Sequence, residues 1–136
     1  MAIITEDYVS FKIAKLLKEK GFNEECFALY NPDGMLIQSG IRLNNIQVGR
    51  VKGSYSASTL QMAMKWLRIE HNIHIEPHIV RTKCSYGYMP NYIDLKELKQ
   101  HFPFDEFDFS NADKYAYITD DKACEATIKY CLEHLI

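Results

Sequence analysis

Residues 56–79 read SASTLQMAMKWLRIEHNIHIEPHI, and this stretch decides how the rest of the chain is interpreted. Its first half projects as a helix with a narrow polar stripe, formed by Gln61, Lys65, Arg68 and Asn72. Apolar side chains cover roughly 200° of that helix, about twice the arc of an ordinary surface helix. The pattern predicts a central helix that either lies inside the fold or presents the flank of Trp66, the only tryptophan, to another chain.

The two ends of this stretch carry further signals. We expect the central helix to begin near Ser56 or Ser58, because Ser58 followed by Gln61 fits a capping box. After the helix, isoleucines at 73, 75 and 79 alternate with polar residues, which is the period of a half-buried strand. Pro77 cannot donate a ladder hydrogen bond, so this strand is expected at a sheet edge or broken at the proline.

The residues before this stretch predict a helix and a hairpin. Thr5 is the expected N-cap of the first helix, with a staple between Ile4 and Val9, and Gly21 is its expected stop. The sequence Asn31-Pro-Asp-Gly34 predicts a turn between strands at 26–30 and 35–38. Alternation around Ile46 predicts another short strand over 46–49.

The residues after this stretch complete an α+β pattern. Tyr86 and Tyr88 suit a return strand, 95–102 a short helix, and 115–119 a strand that leads into a last helix. The core face of that last helix is expected to comprise Cys124, Ile128, Cys131, Leu132 and Leu135. With no linker or repeat, the chain reads as a single α+β domain over 1–136, with a small, mostly antiparallel sheet packed with about three main helices.

Composition limits the class of protein. The 136 residues carry a net charge of −2, and no apolar run approaches the roughly 20 residues that a membrane span needs. The first 20 residues lack the uninterrupted apolar stretch of a signal peptide. Four cysteines without C-x-x-C spacing indicate reduced, buried thiols. We therefore expect a cytoplasmic protein with no membrane partner and no cofactor.

Charge is unevenly distributed along the chain. No acid occurs between Gly34 and Ile69, whereas the residues from Pro103 to Asp121 are mostly acidic among their charges. Dispersed cations suit phosphate binding, so a nucleic-acid-binding surface is one interpretation. The residues that would form it are Arg42, Arg50, Lys52 and Arg68.

Candidate catalytic and metal-binding groups are sparse. His74, Glu76 and His78 would share one strand face, and two imidazoles with a carboxylate suit zinc, so a metal-dependent hydrolase stays an alternative to a solvated face. The segment Gly49–Ser54 fails the spacing of a phosphate-binding loop. No thiol or hydroxyl has an obvious base and orienting group, so the chain is not expected to be an enzyme.

Three segments carry a resemblance. Residues 55–75 (YSASTLQMAMKWLRIEHNIHI), the tail 123–136 (ACEATIKYCLEHLI) and residues 11–22 (FKIAKLLKEKGF) resemble a family of small uncharacterised proteins from prophages and mobile elements of gut anaerobes. The family pattern has proline where Ser58 stands and glutamine where Leu60 stands. The resemblance implies a phage-type accessory protein and no catalytic residues.

An aromatic and acidic segment, FPFDEFDF at 102–109, adds a second candidate surface beside the flank of Trp66. Four phenylalanines in eight residues must be covered, either by the chain's own core or by a partner. The leading interpretation is a protein-binding accessory protein whose partner is an unknown host or phage protein, with a homodimer as an open option. The residues expected to bind the partner are Trp66, Phe104, Phe107 and Phe109.

Overall fold

The computed structural model describes residues 6–83, 85–102 and 116–136, and it has an α+β fold. The described residues form four helices: α1 Phe11–Glu19, α2 Asn45–Val48, α3 Leu60–His71 and α4 Asp120–His134. They also form eight strands: β1 Cys26–Tyr30, β2 Leu36–Leu43, β3 Tyr55–Ala57, β4 Ile73–Ile75, β5 His78–Arg81, β6 Tyr86–Met89, β7 Tyr92–Asp94 and β8 Lys99–His101. None of the described helices is long and apolar enough to cross a membrane.

The chain divides into two compact units, Met1–Ala63 and Met64–Ile136, and the boundary falls within α3. The first unit contains an antiparallel sheet in the order β2-β1-β3, with α1 packed against β3. The second unit contains an antiparallel sheet in the order β4-β7-β8, the hairpin β5–β6, and α4. The expectation of one domain over 1–136 stays a prediction.

Helix α1 begins later than its sequence signals indicate. Ser10 is the N-cap, and its side chain accepts a hydrogen bond from the Ile13 amide at 3.3 Å. The preceding residues are held in an extended path instead, since the Val9 amide donates to the Ser58 carbonyl at 3.0 Å. A helix start at Thr5 is therefore wrong, while Thr5 and the staple residue Ile4 lie outside the described residues.

The predicted end of α1 is confirmed. Gly21 adopts φ +94°, its amide donates to the Lys18 carbonyl, and the Phe22 amide donates to the Leu17 carbonyl. These two bonds define a Schellman motif, which satisfies carbonyls that the helix end leaves unpaired. Phe22, like Ile13 and Leu17 of α1, is buried in the core.

The hairpin predicted at Asn31–Gly34 is also present. The Asn31 side-chain oxygen accepts from the amides of Asp33 and Met35 at 3.0 and 2.9 Å, and Gly34 adopts φ +81°. Strand β1 pairs antiparallel with β2, with Tyr30 opposite Leu36. The polar turn thus sets the register of the two strands.

Residues 45–48 form the short helix α2, so the strand predicted over 46–49 is wrong. Asn44 and Gln47 form a capping box, in which each side chain binds the other residue's amide at 2.9–3.0 Å. Buried Asn45 then joins two segments, because its amide nitrogen donates to the Phe22 carbonyl and its oxygen accepts from the Ser56 amide, both at 2.8 Å.

The central helix α3 is present, but it begins at Leu60. Residues Tyr55–Ala57 form β3 instead, and the Thr59 hydroxyl, rather than Ser58, accepts from the Met62 amide at 3.2 Å. The polar stripe is confirmed as exposed. Asn72 ends the helix with φ +58°, the left-handed conformation that asparagine tolerates.

The second unit corrects three other expectations. The helix predicted over 95–102 is wrong, since Leu95–Leu98 form a turn and Lys99–His101 form β8. The Asp94 carboxylate stabilises the turn by accepting hydrogen bonds from the Lys96 and Glu97 amides. Of the strand predicted over 115–119, residues 116–119 are described, and they form a single β-bridge, between Tyr117 and Tyr88. Four predicted core residues of α4 are buried, whereas Leu135 follows the helix and is exposed.

Candidate protein-binding surface

Strand β2 is the most exposed regular element of the first unit. It lies at the edge of the sheet, and none of the described strands pairs with its outer side. Six of its eight residues are exposed and the other two are half-buried. An edge strand presents unpaired backbone N–H and C=O groups to any strand that approaches it. The outer side of β2 is therefore a template for strand pairing.

Apolar side chains concentrate around this edge. Phe27 on β1 is 49% exposed, Ile41 on β2 is 64% exposed, and Met35, Leu36 and Ile37 are exposed as well. Single exposed apolar residues are ordinary, but several of them on an open edge strand and its neighbour make a candidate interaction surface. We refer to Phe27, Ile37, Gly40, Ile41 and Arg42 as the β2 edge surface.

A large bulge shapes the middle of β2. Cys26 pairs with Leu43 and Ala28 with Gln38, so the four residues Ser39–Arg42 stand opposite Phe27 alone. The Ser39 hydroxyl lies 3.0 Å from the Phe27 carbonyl oxygen and 2.5 Å from that of Ile41. This hydroxyl replaces part of the ladder that the bulge interrupts, and the extra residues project Gly40 and Ile41 outward.

Arg42 is the one charged residue within β1 and β2. Its guanidinium carbon lies 5.0 Å from the centroid of the Phe27 ring, a cation–π contact. The contact fixes the side chain across the bulge and leaves its N–H donors available at the surface. The β2 edge surface therefore combines apolar area with one positively charged donor group.

The four cations of the predicted nucleic-acid surface are all exposed. Arg42, Arg50 and Lys52 belong to the first unit and Arg68 to the second. Arg50 and Lys52 follow α2 in a turn that closes at Gly53, where φ is +86°. Their use as a phosphate-binding set stays a prediction.

The structure describes one of the four predicted partner-binding residues, Trp66. Trp66 retains 8% exposure and its ring lies 4.8 Å from that of His71, while Ile69 on the same flank is 61% exposed. Part of that flank thus faces solvent, although the indole supplies little area itself. Phe104, Phe107 and Phe109 lie outside the described residues. Partner binding by these four residues stays a prediction.

The histidine motif does not form on one strand. His74 belongs to β4, and His78 begins β5 in a different sheet. The predicted strand is therefore interrupted at Pro77, which is one of the two alternatives expected from the sequence. The His74 Nε2 and Glu76 Oε2 atoms lie 3.7 Å apart. Among the described residues, no group of three or more His, Cys, Asp or Glu side chains is placed to hold a metal ion.

The three described cysteines are buried thiols. Burial raises the pKa of Cys26 to about 11, with a smaller contribution from Glu24. Burial also raises the pKa values of Cys124 and Cys131 to about 12. Because the thiolate is the nucleophile, these raised pKa values keep the three thiols protonated and poorly nucleophilic at neutral pH.

A cleft of about 270 Å³ in the second unit was not indicated by the sequence. Tyr130 and His134 on α4 form its aromatic wall, with ring centroids 4.8 Å apart. Lys129 and Glu133 also line it, and their charged atoms lie 3.9 Å apart. These opposite charges compensate each other, so the cleft offers a polar recess without an uncompensated charge.

The chain matches no protein-family model, no curated protein and no solved structure. Sequence patterns missed the β2 edge surface because they ended the second strand of the hairpin at residue 38, whereas β2 continues to Leu43. The available signal was the alternation of Ile41 and Leu43 with Arg42, which suits a strand that continues beyond Gly40.

Proposed function

We propose that this chain is a non-enzymatic accessory protein that binds another protein by accepting a strand along the outer edge of β2. The observation that carries the proposal is an exposed edge strand with no described strand on its outer side. Strand addition of this kind derives affinity from main-chain hydrogen bonds and specificity from alternate side chains. The phage-type context that the sequence resemblance implies belongs to the same proposal.

The surface has the composition that strand addition requires. Ile37 and Ile41 supply apolar contacts, and Arg42 supplies a donor that selects the polar group opposite it. Most of the energy of such an interface resides in a few apolar and arginine anchors rather than in its whole area. A single charged substitution at Ile37 or Ile41 should therefore remove most of the binding.

Site-specific photo-crosslinking tests the proposal. A photoreactive residue at Ile41 is compared with one at Ile69, since the two isoleucines are 64% and 61% exposed and belong to different units. We expect crosslinked protein at position 41 and loss of that adduct when Ile37→Lys is added. Adducts at position 69 but not at position 41 would contradict strand addition and favour the Trp66 flank as the contact.

The alternative function, nucleic-acid binding by Arg42, Arg50, Lys52 and Arg68, rests on the exposure of all four cations. The same experiment separates it when run with and without nuclease. A nucleic-acid adduct that is lost in Arg50→Glu/Lys52→Glu, and whose affinity falls steeply with salt, would replace the protein-binding proposal.

A further inference from the structure

The hairpin β5–β6 of the second unit has two unlike faces. Its register pairs Ile79 with Tyr88 and Arg81 with Tyr86. Residues directly opposite each other in an antiparallel pair, and residues two apart along a strand, project from the same face. We call these four residues the hairpin face, and we propose that it binds single-stranded nucleic acid by stacking a base on Tyr86 and pairing a phosphate with Arg81. The site lies in the other unit from the β2 edge, so it does not depend on the proposed function.

The opposite face of the hairpin is already occupied by the core. Val80 and Met89 are 6% and 0% exposed, and Phe102 and Ala116 pack against them. A Cβ at Gly87 would lie 2.8 Å from the Ala116 Cβ, so this face has no room even for a methyl group. A ligand of the hairpin must therefore bind at the hairpin face.

The hairpin face presents an aromatic ring to solvent. Tyr86 is 59% exposed and Tyr88 is half-buried, and their ring centroids lie 5.9 Å apart with the planes at 79°. This edge-to-face contact restrains both rings while most of Tyr86 stays accessible. Ile79, 64% exposed, adds apolar area on the same face. Because every base has a π-face, an exposed and restrained ring is a stacking surface for a base of any identity.

Positive charge accompanies the ring. Arg81 is exposed directly opposite Tyr86, and no described acid forms an ion pair with it. Lys83, in the turn that closes the hairpin, is also exposed, and residues 77–93 include no acid. A single strand supplies a phosphate and an aromatic base at every residue, whereas an acidic peptide supplies carboxylates without obligatory rings. The combination of ring and cation therefore favours a nucleic-acid strand.

Tyr88 and Asp120 set the electrostatics at the border of this face. Partial burial, then Tyr86 and the Asp120 carboxylate, raise the pKa of Tyr88. The phenol is therefore neutral at neutral pH and does not repel phosphate. Asp120, at the start of α4, keeps a negative charge that opposes phosphate. Its neutralisation should strengthen binding.

Fluorescence anisotropy of labelled oligonucleotides tests the proposal with the full chain. Oligo-dT, oligo-rU and a duplex of matched length are titrated, and we expect either single strand to bind roughly tenfold more tightly than the duplex, whose bases are not free to stack. Tyr86→Leu keeps an apolar side chain without a ring and should weaken binding by roughly tenfold. Tyr86→Phe keeps the ring and should bind like the natural chain. Thermal unfolding checks that both variants fold.

Arg81→Gln tests the contribution of charge. The slope of log affinity against log salt should become shallower by about 0.7, which corresponds to one phosphate contact on a single strand. Arg50→Gln, at an exposed cation of the first unit, is the matched control and should leave affinity and slope unchanged. Asp120→Asn should bind more tightly than the natural chain.

Each outcome decides the inference. Binding of either single strand with these variant effects supports it, and the tighter of the two identifies DNA or RNA. No binding, equal affinity for the duplex, or equal weakening by Tyr86→Leu and Tyr86→Phe overturns it. A loss in Arg50→Gln as large as in Arg81→Gln, or weaker binding by Asp120→Asn, overturns it as well. A photoreactive residue at Ile79 that crosslinks to protein instead of the oligonucleotide would make this face a protein contact.

Discussion

Ser58 places a hydroxyl in the interior that has no hydrogen-bond partner among the described residues. The residue is 1% exposed, and its Oγ makes no hydrogen bond to the described residues. Neighbouring Ser56 is equally buried, but its hydroxyl donates to the Leu43 carbonyl at 3.3 Å. Two buried serines two residues apart thus differ in whether their desolvation is compensated by a hydrogen bond.

This difference predicts opposite effects of alanine at the two positions. Ser58→Ala removes an uncompensated buried hydroxyl and should raise the free energy of unfolding by about 1 kcal/mol. Ser56→Ala breaks a buried hydrogen bond, so it should lower that free energy by about 1 kcal/mol. Urea titration of both variants gives the values. Equal destabilisation by the two substitutions would show that the Ser58 hydroxyl has a partner.

Individual residues also show where sequence reasoning succeeds. Gly21 and Asn31 each act on their immediate neighbours, through a left-handed backbone conformation and a side-chain hydrogen bond, so their effects could be predicted from local sequence. Thr59 could not be chosen over Ser58 as the cap, because the choice depends on β3, which holds residues 55–57 extended beside β1. Pairing with a distant strand leaves no signal at the helix start.

Short elements depend on the same competition between local and distant contacts. In α2, two apolar residues at positions 46 and 48 suit a strand, but the Asn44–Gln47 capping box and the buried Asn45 bonds select a helix. At 95–98, the Asp94 carboxylate accepts hydrogen bonds from two amides and Leu98 adopts φ +57°. A hairpin turn therefore forms in place of the predicted helix. Hydrogen bonds between side chains and nearby backbone groups therefore determine the conformation of both segments.

Two glycines, Gly21 after α1 and Gly40 in β2, should respond differently to substitution by alanine. Gly21→Ala forces a side chain into φ +94° and should destabilise the first unit by roughly 1 kcal/mol. Gly40→Ala enters open space at an ordinary φ, so it should leave stability unchanged or raise it by a few tenths of a kcal/mol. Thermal unfolding at low protein concentration compares the two. A loss at Gly40 as large as that at Gly21 would contradict the assignment of Gly40 to an unstrained, open position.

Across the whole molecule, composition and period predicted the α+β class but not the binding surface. The helical and strand periods of α1, β1 and α4 depend on each segment's own burial, which is visible in its sequence. The exposure of β2 depends on sheet order, since a strand with the same residues would be covered if it lay between two neighbours. Sheet order is fixed by contacts between distant segments, and one sequence does not reveal them.

The two units differ in the surfaces that they carry. The first carries the β2 edge surface, and its segment from Gly34 to Ala63 has three exposed cations and no acid. The second carries the Tyr130–His134 cleft, whose lysine and glutamate compensate each other. Because the first combines an open sheet edge with exposed apolar area, the central claim is that the outer edge of β2 accepts a strand of another protein.

Hydrogen exchange with and without the protein that crosslinks at position 41 tests this claim most directly. The account predicts that the amides of Leu36–Leu43 that face away from β1 exchange quickly in the free chain and are protected in the complex. Strand β8, which is also an edge strand, serves as the internal control and should not change. Outward-facing amides of β2 that exchange equally fast with and without that protein, or a protection shared equally by β8, would contradict strand addition at the β2 edge.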